Sequence, residues 1–249
     1  MTQWVFDLGN SRVKCAALHA DGTLGHVQAV AYDEGFIASL DAVLPATLVR
    51  EASMAVVASV ASPARTAAVI DWLTTRVGAI SLPRTQPALA GVRIAYDEPA
   101  RLGVDRFLAL LAARRRAARN WLVVGVGTAV TVDLLDAQGL HRGGRIAPSP
   151  QLMRESLQAA AGQLPATGGH YVEFATDTLD ALASGCDGAA LGLVERSLLQ
   201  AEDTLGERPA LLLHGGGAAG LMPWLPGAAL APSLVLEGLA VWAQLGSDA

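Results

Sequence analysis

A turn that occurs twice limits the folds open to this chain. Val5-Phe6-Asp7-Leu8-Gly9-Asn10-Ser11 near the start and Val123-Val124-Gly125-Val126-Gly127-Thr128-Ala129 near the midpoint each run an apolar strand into a glycine and a small polar residue. Without a Cβ at Gly9 and Gly127, backbone N–H groups can approach an anion closely. Asn10, Ser11 and Thr128 add side-chain donors. One such turn per half predicts a duplicated domain that grips a single polyphosphate between its halves.

Size and charge narrow the classes. A chain of 249 residues, 52% hydrophobic and 16% charged, supports a full core and is not disordered. The formal net charge of −5 argues against a nucleic-acid partner, whose phosphates require clustered Lys and Arg. The basic run Arg114-Arg115-Arg116 with Arg119 reads as a solvated helix C-terminus. Cys15 and Cys186 lie far apart with no metal-ligand spacing, so zinc is not expected. Asp7, Arg12 and Lys14 interrupt the only early apolar run, and no apolar stretch approaches the roughly 18 residues of a membrane span. A cytoplasmic protein with free thiols is expected, without a membrane partner.

Periodicity supplies a coarse plan. Trp4 to Phe6 and Val13 to Leu18 flank the first turn as a hairpin, with a second turn at Asp21-Gly22. A strand is expected over Met54 to Val60 and a helix over Thr66 to Val77. A proline-rich loop from Pro83 to Pro99 precedes a strongly amphipathic helix over Phe107 to Arg119. The second half repeats the plan: strands Trp121 to Val126 and Val130 to Leu135, then a turn at Asp136 to Gly139. His141 to Pro148 reads as a glycine loop. Helices follow over Gln151 to Ala161 and Thr178 to Leu205, then a strand over Ala210 to Leu213 meets Gly215-Gly216-Gly217, which reads as one more backbone approach to a ligand. Helices over Ala218 to Leu221 and Leu234 to Leu245 close the chain. The division expected is 1–119 and 120–249, with the helix ending near Arg119 shared between the lobes.

Several residue groups have chemical potential beside a plain structural reading. Asp7 can hold Mg²⁺ or its waters, Gly9 to Ser11 donate to phosphate, and Lys14 supplies a cation; an Asp-x-Gly-Asn hairpin turn is the plain alternative. Asp105, in Gly103-Val104-Asp105-Arg106, suits an N-terminal cap or a general base for a hydroxyl, with Arg106 on an anionic substrate group. Spacing does not choose between these. Asp133 reads as structural in preference to catalytic, and His170 and His214 as ordinary hydrogen-bonded residues. Tyr96 fills a substrate pocket or packs its loop. Thr178, after Asp177, caps a helix or touches substrate.

Taken in order, these segments resemble the type III pantothenate kinases, a family that includes proteins named Bvg accessory factors. The residues carrying the resemblance are Asp7 to Lys14, Tyr96 with Pro99, Gly103 to Arg106, Gly127-Thr128-Ala129, Gly143 to Pro148, Met153 with Ser156-Leu157, Leu164-Pro165, and Thr178 with Ala181 and Gly185. The resemblance implies an α/β fold of two related actin/hexokinase-like (ribonuclease H-like) lobes with a nucleotide cleft between them, in a homodimer. It also implies transfer of the γ-phosphoryl group of ATP to pantothenate, giving 4'-phosphopantothenate, the first step of coenzyme A synthesis. Carried over by position, Asp7, Leu8, Gly9, Asn10, Ser11, Arg12, Val13 and Lys14 form the first phosphate loop and Thr128 the second. Tyr96, Gly103, Val104, Asp105, Arg106 and Thr178 contact pantothenate, Asp105 as base. Mg²⁺ is expected near Asp7.

Three positions depart from the family pattern. Ser11 stands for threonine and keeps a hydroxyl; Ser149 stands for a glycine. Gly125 occupies a place where the family commonly has an aspartate that binds an activating K⁺ or NH₄⁺, and a glycine has no carboxylate to offer; either backbone oxygens and another residue hold the cation, or this member depends on it less. Two other functions remain open from sequence: a nucleotide-binding regulatory or partner protein on the same fold, and a sugar kinase of the same superfamily.

Overall fold

The structure, a computed structural model, describes residues 2–43 and 53–246. The chain divides into two compact units, one running to Arg116 and resumed from Ser233, the other Ala117–Pro232.

In the first unit a five-stranded sheet forms from β1 (Thr2–Leu8), β2 (Arg12–Leu18), β3 (Gln28–Ala31), β4 (Ser53–Ser59) and β5 (Ala79–Ser81), in the order β3-β2-β1-β4-β5. Antiparallel β2 and parallel β4 flank β1, which places Asp7 opposite Lys14 on one side and Ala58 on the other. Helices α1 (Phe36–Asp41) and α2 (Pro63–Thr74) belong to this layer. The Ser62 hydroxyl accepts from the Arg65 N–H and Pro63 opens the helix, so α2 begins earlier than the apolar spacing suggests. Phe6, Leu8, Val57, Trp72 and Leu73 share one core. Within the proline-rich segment a short ribbon pairs β6 (Ala88–Leu89) with β7 (Val92–Arg93).

Helix α3 (Val104–Arg116) is buried on every face from Arg106 to Ala113, which corrects the amphipathic reading of this segment: the helix is covered all round and has no single apolar stripe. It ends at Arg116 and lies within the first unit, so it is not a helix shared between lobes.

The second unit repeats the sheet. β8 (Trp121–Val126), β9 (Ala129–Leu135), β10 (His141–Pro148), β11 (Ala210–His214) and β12 (Ala229–Leu230) are ordered β10-β9-β8-β11-β12. Central β8 is buried at every position, the pattern of a strand covered on both faces. The expected glycine loop at 141–148 is instead strand β10, paired antiparallel with β9 across a register shift between His141 and Gly144. Its glycines mark the shift rather than a loop. Asp133 bonds His141 Nε2 at 2.9 Å with both side chains buried, a strand-to-strand lock.

Helix α4 (Pro150–Ala160) starts at Ser149, whose hydroxyl accepts from Leu152 N–H, giving the departure at Ser149 a capping role. Helix α5 (Thr178–Leu205) and the short α6 (Ala218–Leu221) complete this unit. The final helix α7 (Leu234–Gly246) packs on α3 and belongs to the first unit, whereas the sequence reading grouped all of 120–249 together. Arg116 donates to both Glu237 carboxylate oxygens, at 2.9 and 2.7 Å, across that helix pair.

Candidate active site

Asp7 is the penultimate residue of β1, and Gly125 is the penultimate residue of β8. The two strands occupy the same central place in matching sheets, so the sequence alignment of the two turns is also a structural one. The turns then diverge. The first spans Gly9 to Ser11, with Gly9 N–H donating to Arg12 O at 3.1 Å; the second spans only Gly127 and Thr128, with Gly127 N–H donating to Ala129 O at 2.9 Å. Asn10, Ser11 and Arg12 are exposed, as are Gly127 and Thr128, while Leu8 and Val13 are core residues.

A residue 55 positions away steadies the first turn. Arg65 on α2 donates to the Asn10 carbonyl at 2.6 Å and lies 4.7 Å from the centre of the Tyr32 ring. Neither Arg65 nor Tyr32 was singled out from sequence. No local pattern signals a contact made only after α2 packs beside the turn.

The first unit brings Asp7, Lys14 and Asp105 into one electrostatic group. Burial, then the Asp105 carboxylate, push Asp7 up to about 7, against the pull of Lys14. Burial lowers Lys14, Asp7 opposes that, and Arg12 adds to it. Two carboxylates and a partly buried ammonium form a set of hard donors and charge able to accept a divalent cation with its waters. Asp7 is therefore a fitting Mg²⁺ ligand by donor chemistry. Among the described residues no group of three or more His, Cys, Asp or Glu surrounds a common point, so such an ion would rely on phosphate oxygens and water for its remaining ligands.

Asp105 sits inside the first turn of α3 rather than at its cap. Its Oδ1 accepts from the Arg106 N–H at 2.8 Å, one of the donors a helix start leaves unpaired. That carboxylate lies over Gly103: a Cβ there would stand 2.6 Å from Oδ1. Arg106 is only 6% exposed and donates to the Tyr96 hydroxyl at 3.3 Å. Gly103, Val104, Asp105, Arg106 and Tyr96 thus assemble around one helix start, and the Asp105 charge reaches Asp7.

Thr128 and Thr178 belong to the second unit. Thr178 opens α5 exposed, and the cap is Asp177, whose carboxylate accepts from the N–H groups of Leu179 and Asp180 at 2.9 and 3.0 Å. The glycine run after β11 packs on the end of β8: Gly215 has φ +92° and a Cβ there would strike the Val126 carbonyl, while Gly217 N–H donates to that carbonyl at 3.0 Å. The run therefore seats against the end of β8, beside the second turn. A pocket of about 500 Å³ lies between α4 and α5, lined by Pro148, Met153, Leu157, Ala181, Gly185 and Cys186 among others. Sequence placed several of these in motifs without seeing that they share an apolar wall.

Gly125 leaves no room for the aspartate side chain of the family pattern. A Cβ there would lie 2.7 Å from Thr131 Oγ1 and 2.8 and 2.9 Å from His214 Nε2 and Cε1. The volume that a carboxylate would need already holds a hydroxyl and an imidazole.

Comparison with known proteins assigns the family. The model describing type III pantothenate kinases matches residues 4–200. The type III pantothenate kinase of Stenotrophomonas maltophilia strain K279a is 58% identical over 244 residues, spanning 98% of each chain. Among solved structures, a Campylobacter jejuni protein described as a Baf family transcriptional activator is similar with a TM-score of 0.64 at 16% identity, covering 99% of this chain and 100% of its own. The Clostridium difficile activator of 2-hydroxyisocaproyl-CoA dehydratase, with bound ADPNP, is similar with a TM-score of 0.53 at 10% identity, covering 100% and 96%. At such identities the two structures speak for the fold alone, which is actin/hexokinase-like, mixed α/β with two sheets of matching order. Residues 4–200 and nearly the full length of a close relative agree, and the chain belongs to the type III pantothenate kinase family.

Proposed function

We propose that this protein transfers the γ-phosphoryl group of ATP to the primary hydroxyl of pantothenate, giving 4'-phosphopantothenate at the start of coenzyme A synthesis. The observation that carries the reading is the helix start at Asp105, where a carboxylate beside Asp7 and Lys14 adjoins the buried Arg106 and its Tyr96 partner. Phosphoryl transfer asks a protein chiefly for positioning and charge stabilisation, and this group supplies both.

In this reading Gly9 to Ser11 direct backbone N–H groups at phosphate oxygens, and Lys14 balances their charge. Thr128 serves the same end from the second unit. Mg²⁺ held at Asp7 would neutralise charge on the phosphates. Arg106 and Tyr96 hold the pantothenate carboxylate, and Thr178 contributes a hydroxyl to the acceptor. Asp105 accepts the proton of the attacking hydroxyl; its Oδ1 is already oriented by Arg106 N–H, so little reorganisation precedes that step.

We further propose a cytoplasmic homodimer. In its support, two large apolar side chains of the second unit stand exposed, Phe174 at 96% and Ile146 at 65%, and a second copy of the chain would cover them. Among the described residues no helix is long and apolar enough to cross a membrane. Sedimentation velocity is expected to give the mass of two chains; the mass of one contradicts the dimer.

The activity is tested by coupled ADP release. Release that requires pantothenate is expected, with little from hexoses or N-acetylmannosamine. Release driven by a hexose and not by pantothenate overturns the reading in favour of a sugar kinase, and nucleotide binding without transfer to any acceptor favours a regulatory protein.

A further inference from the structure

The duplicated sheets allow a comparison that neither half permits alone. In the first unit the matched triplet across β2, β1 and β4 is Lys14, Asp7 and Ala58. In the second, across β9, β8 and β11, it is Thr131, Gly125 and His214. The second sheet has lost the carboxylate, lost the ammonium opposite it, and replaced the small alanine with an imidazole. These three changes are not independent, because Thr131 Oγ1 and His214 Nε2 both lie within 3 Å of the one point where a Gly125 Cβ would stand. The imidazole occupies the volume that the missing carboxylate frees.

That point lies two residues before the second turn. Val126 follows Gly125, and Gly127-Thr128 follow Val126; the Gly215–Gly217 run seats on the Val126 carbonyl from the β11 side. His214 is half-buried at the end of β11, immediately before that run. An alkali cation takes hard oxygen ligands, whereas a ring nitrogen suits softer transition metals. The group present is thus poorly suited to hold K⁺ and well suited to replace it, since an imidazole N–H and a hydroxyl present donors from a fixed frame.

Resting on the kinase reading above, we infer that His214, with Thr131, stands in for the monovalent cation and its carboxylate ligand. These side chains brace the second phosphate turn, and the protein binds nucleotide without K⁺ or NH₄⁺. His214 is a positioning residue in this role: it acts through the turn at Gly127-Thr128.

Calorimetric binding of AMPPNP with Mg²⁺ to the full chain tests the inference without any acceptor. Buffers of equal ionic strength contain K⁺, NH₄⁺ or tetramethylammonium as the sole monovalent cation. The wild-type Kd is expected to agree within about twofold across all three. His214→Ala is expected to weaken binding at least fivefold with an unchanged melting temperature, and His214→Gln, which restores a donor, to recover part of the loss. Tenfold tighter wild-type binding in K⁺ or NH₄⁺ overturns the inference, as does wild-type affinity in a folded His214→Ala protein. If nucleotide binds independently of cation while pantothenate is not phosphorylated, the substrate assignment fails and this inference stands. No binding in any buffer overturns both.

Discussion

Gly103 and Asp105 form the tightest local constraint in the candidate site. A methyl group at residue 103 would meet Asp105 Oδ1 at 2.6 Å, and the tip of a short side chain can rotate away where backbone cannot. Gly103→Ala is therefore expected to leave the melting temperature within a few degrees while cutting turnover at least tenfold, by swinging the carboxylate off its hydroxyl. Equal turnover would show that Asp105 does not act from this position. Asp7 carries a separate, pH-dependent signature. Its pKa is raised in the folded protein from 3.8 to about 7, so between those values the folded state binds a proton that the unfolded chain has released. The stability this group contributes is complete below pH 3.8 and is lost as pH rises to about 7. Asp7→Asn should remove that slope and melt a few degrees above wild type at pH 8 without ligand, yet bind Mg²⁺ with ATP more weakly. Thermal scans across pH check it. At this scale the Gly9–Ser11 turn and the Gly103–Arg106 run were visible in sequence because each is contiguous, whereas their grouping with Tyr96 came only from the family resemblance. Arg65, 55 residues from its Asn10 partner, was not, because only packing brings it there.

Among the elements, close approach and capping decide where helices stand. A Cβ at Gly238 would collide with the backbone carbonyl of Leu108, the point where α7 lies against α3. Backbone cannot rotate aside, so Gly238→Ala is expected to cost about 1–3 kcal/mol, the usual range for overpacking. Ser149→Ala removes the α4 cap and is expected to cost about 1 kcal/mol. Denaturant midpoints measure both, with Gly238→Ala the larger. Strand β10 shows why some elements escaped the sequence: its glycines and proline imitate a loop, while its pairing with β9 depends on a register shift that periodicity does not encode. The burial of α3 on every face likewise hid its true start, since apolar spacing locates a stripe and this helix has none.

For the whole molecule, duplication was the most legible property, because each copy of the turn joins a central strand to its antiparallel neighbour in a sheet of the same order. The return of α7 to the first unit was not legible, since a helix at the end of a chain carries no mark of which sheet it serves. Both thiols are buried, and burial pushes Cys15 up to about 12, so slow alkylation is expected unless the protein is unfolded. Mass spectrometry of pantothenate incubated with ATP, Mg²⁺ and either wild-type or Asp105→Asn protein reads acceptor and base at once. Phosphorylation at the primary hydroxyl is expected from the wild type, with a loss of about 100-fold or more in the folded variant; no phosphorylated pantothenate from the wild type, or equal yield from the variant, contradicts Asp105 as the base of a pantothenate kinase.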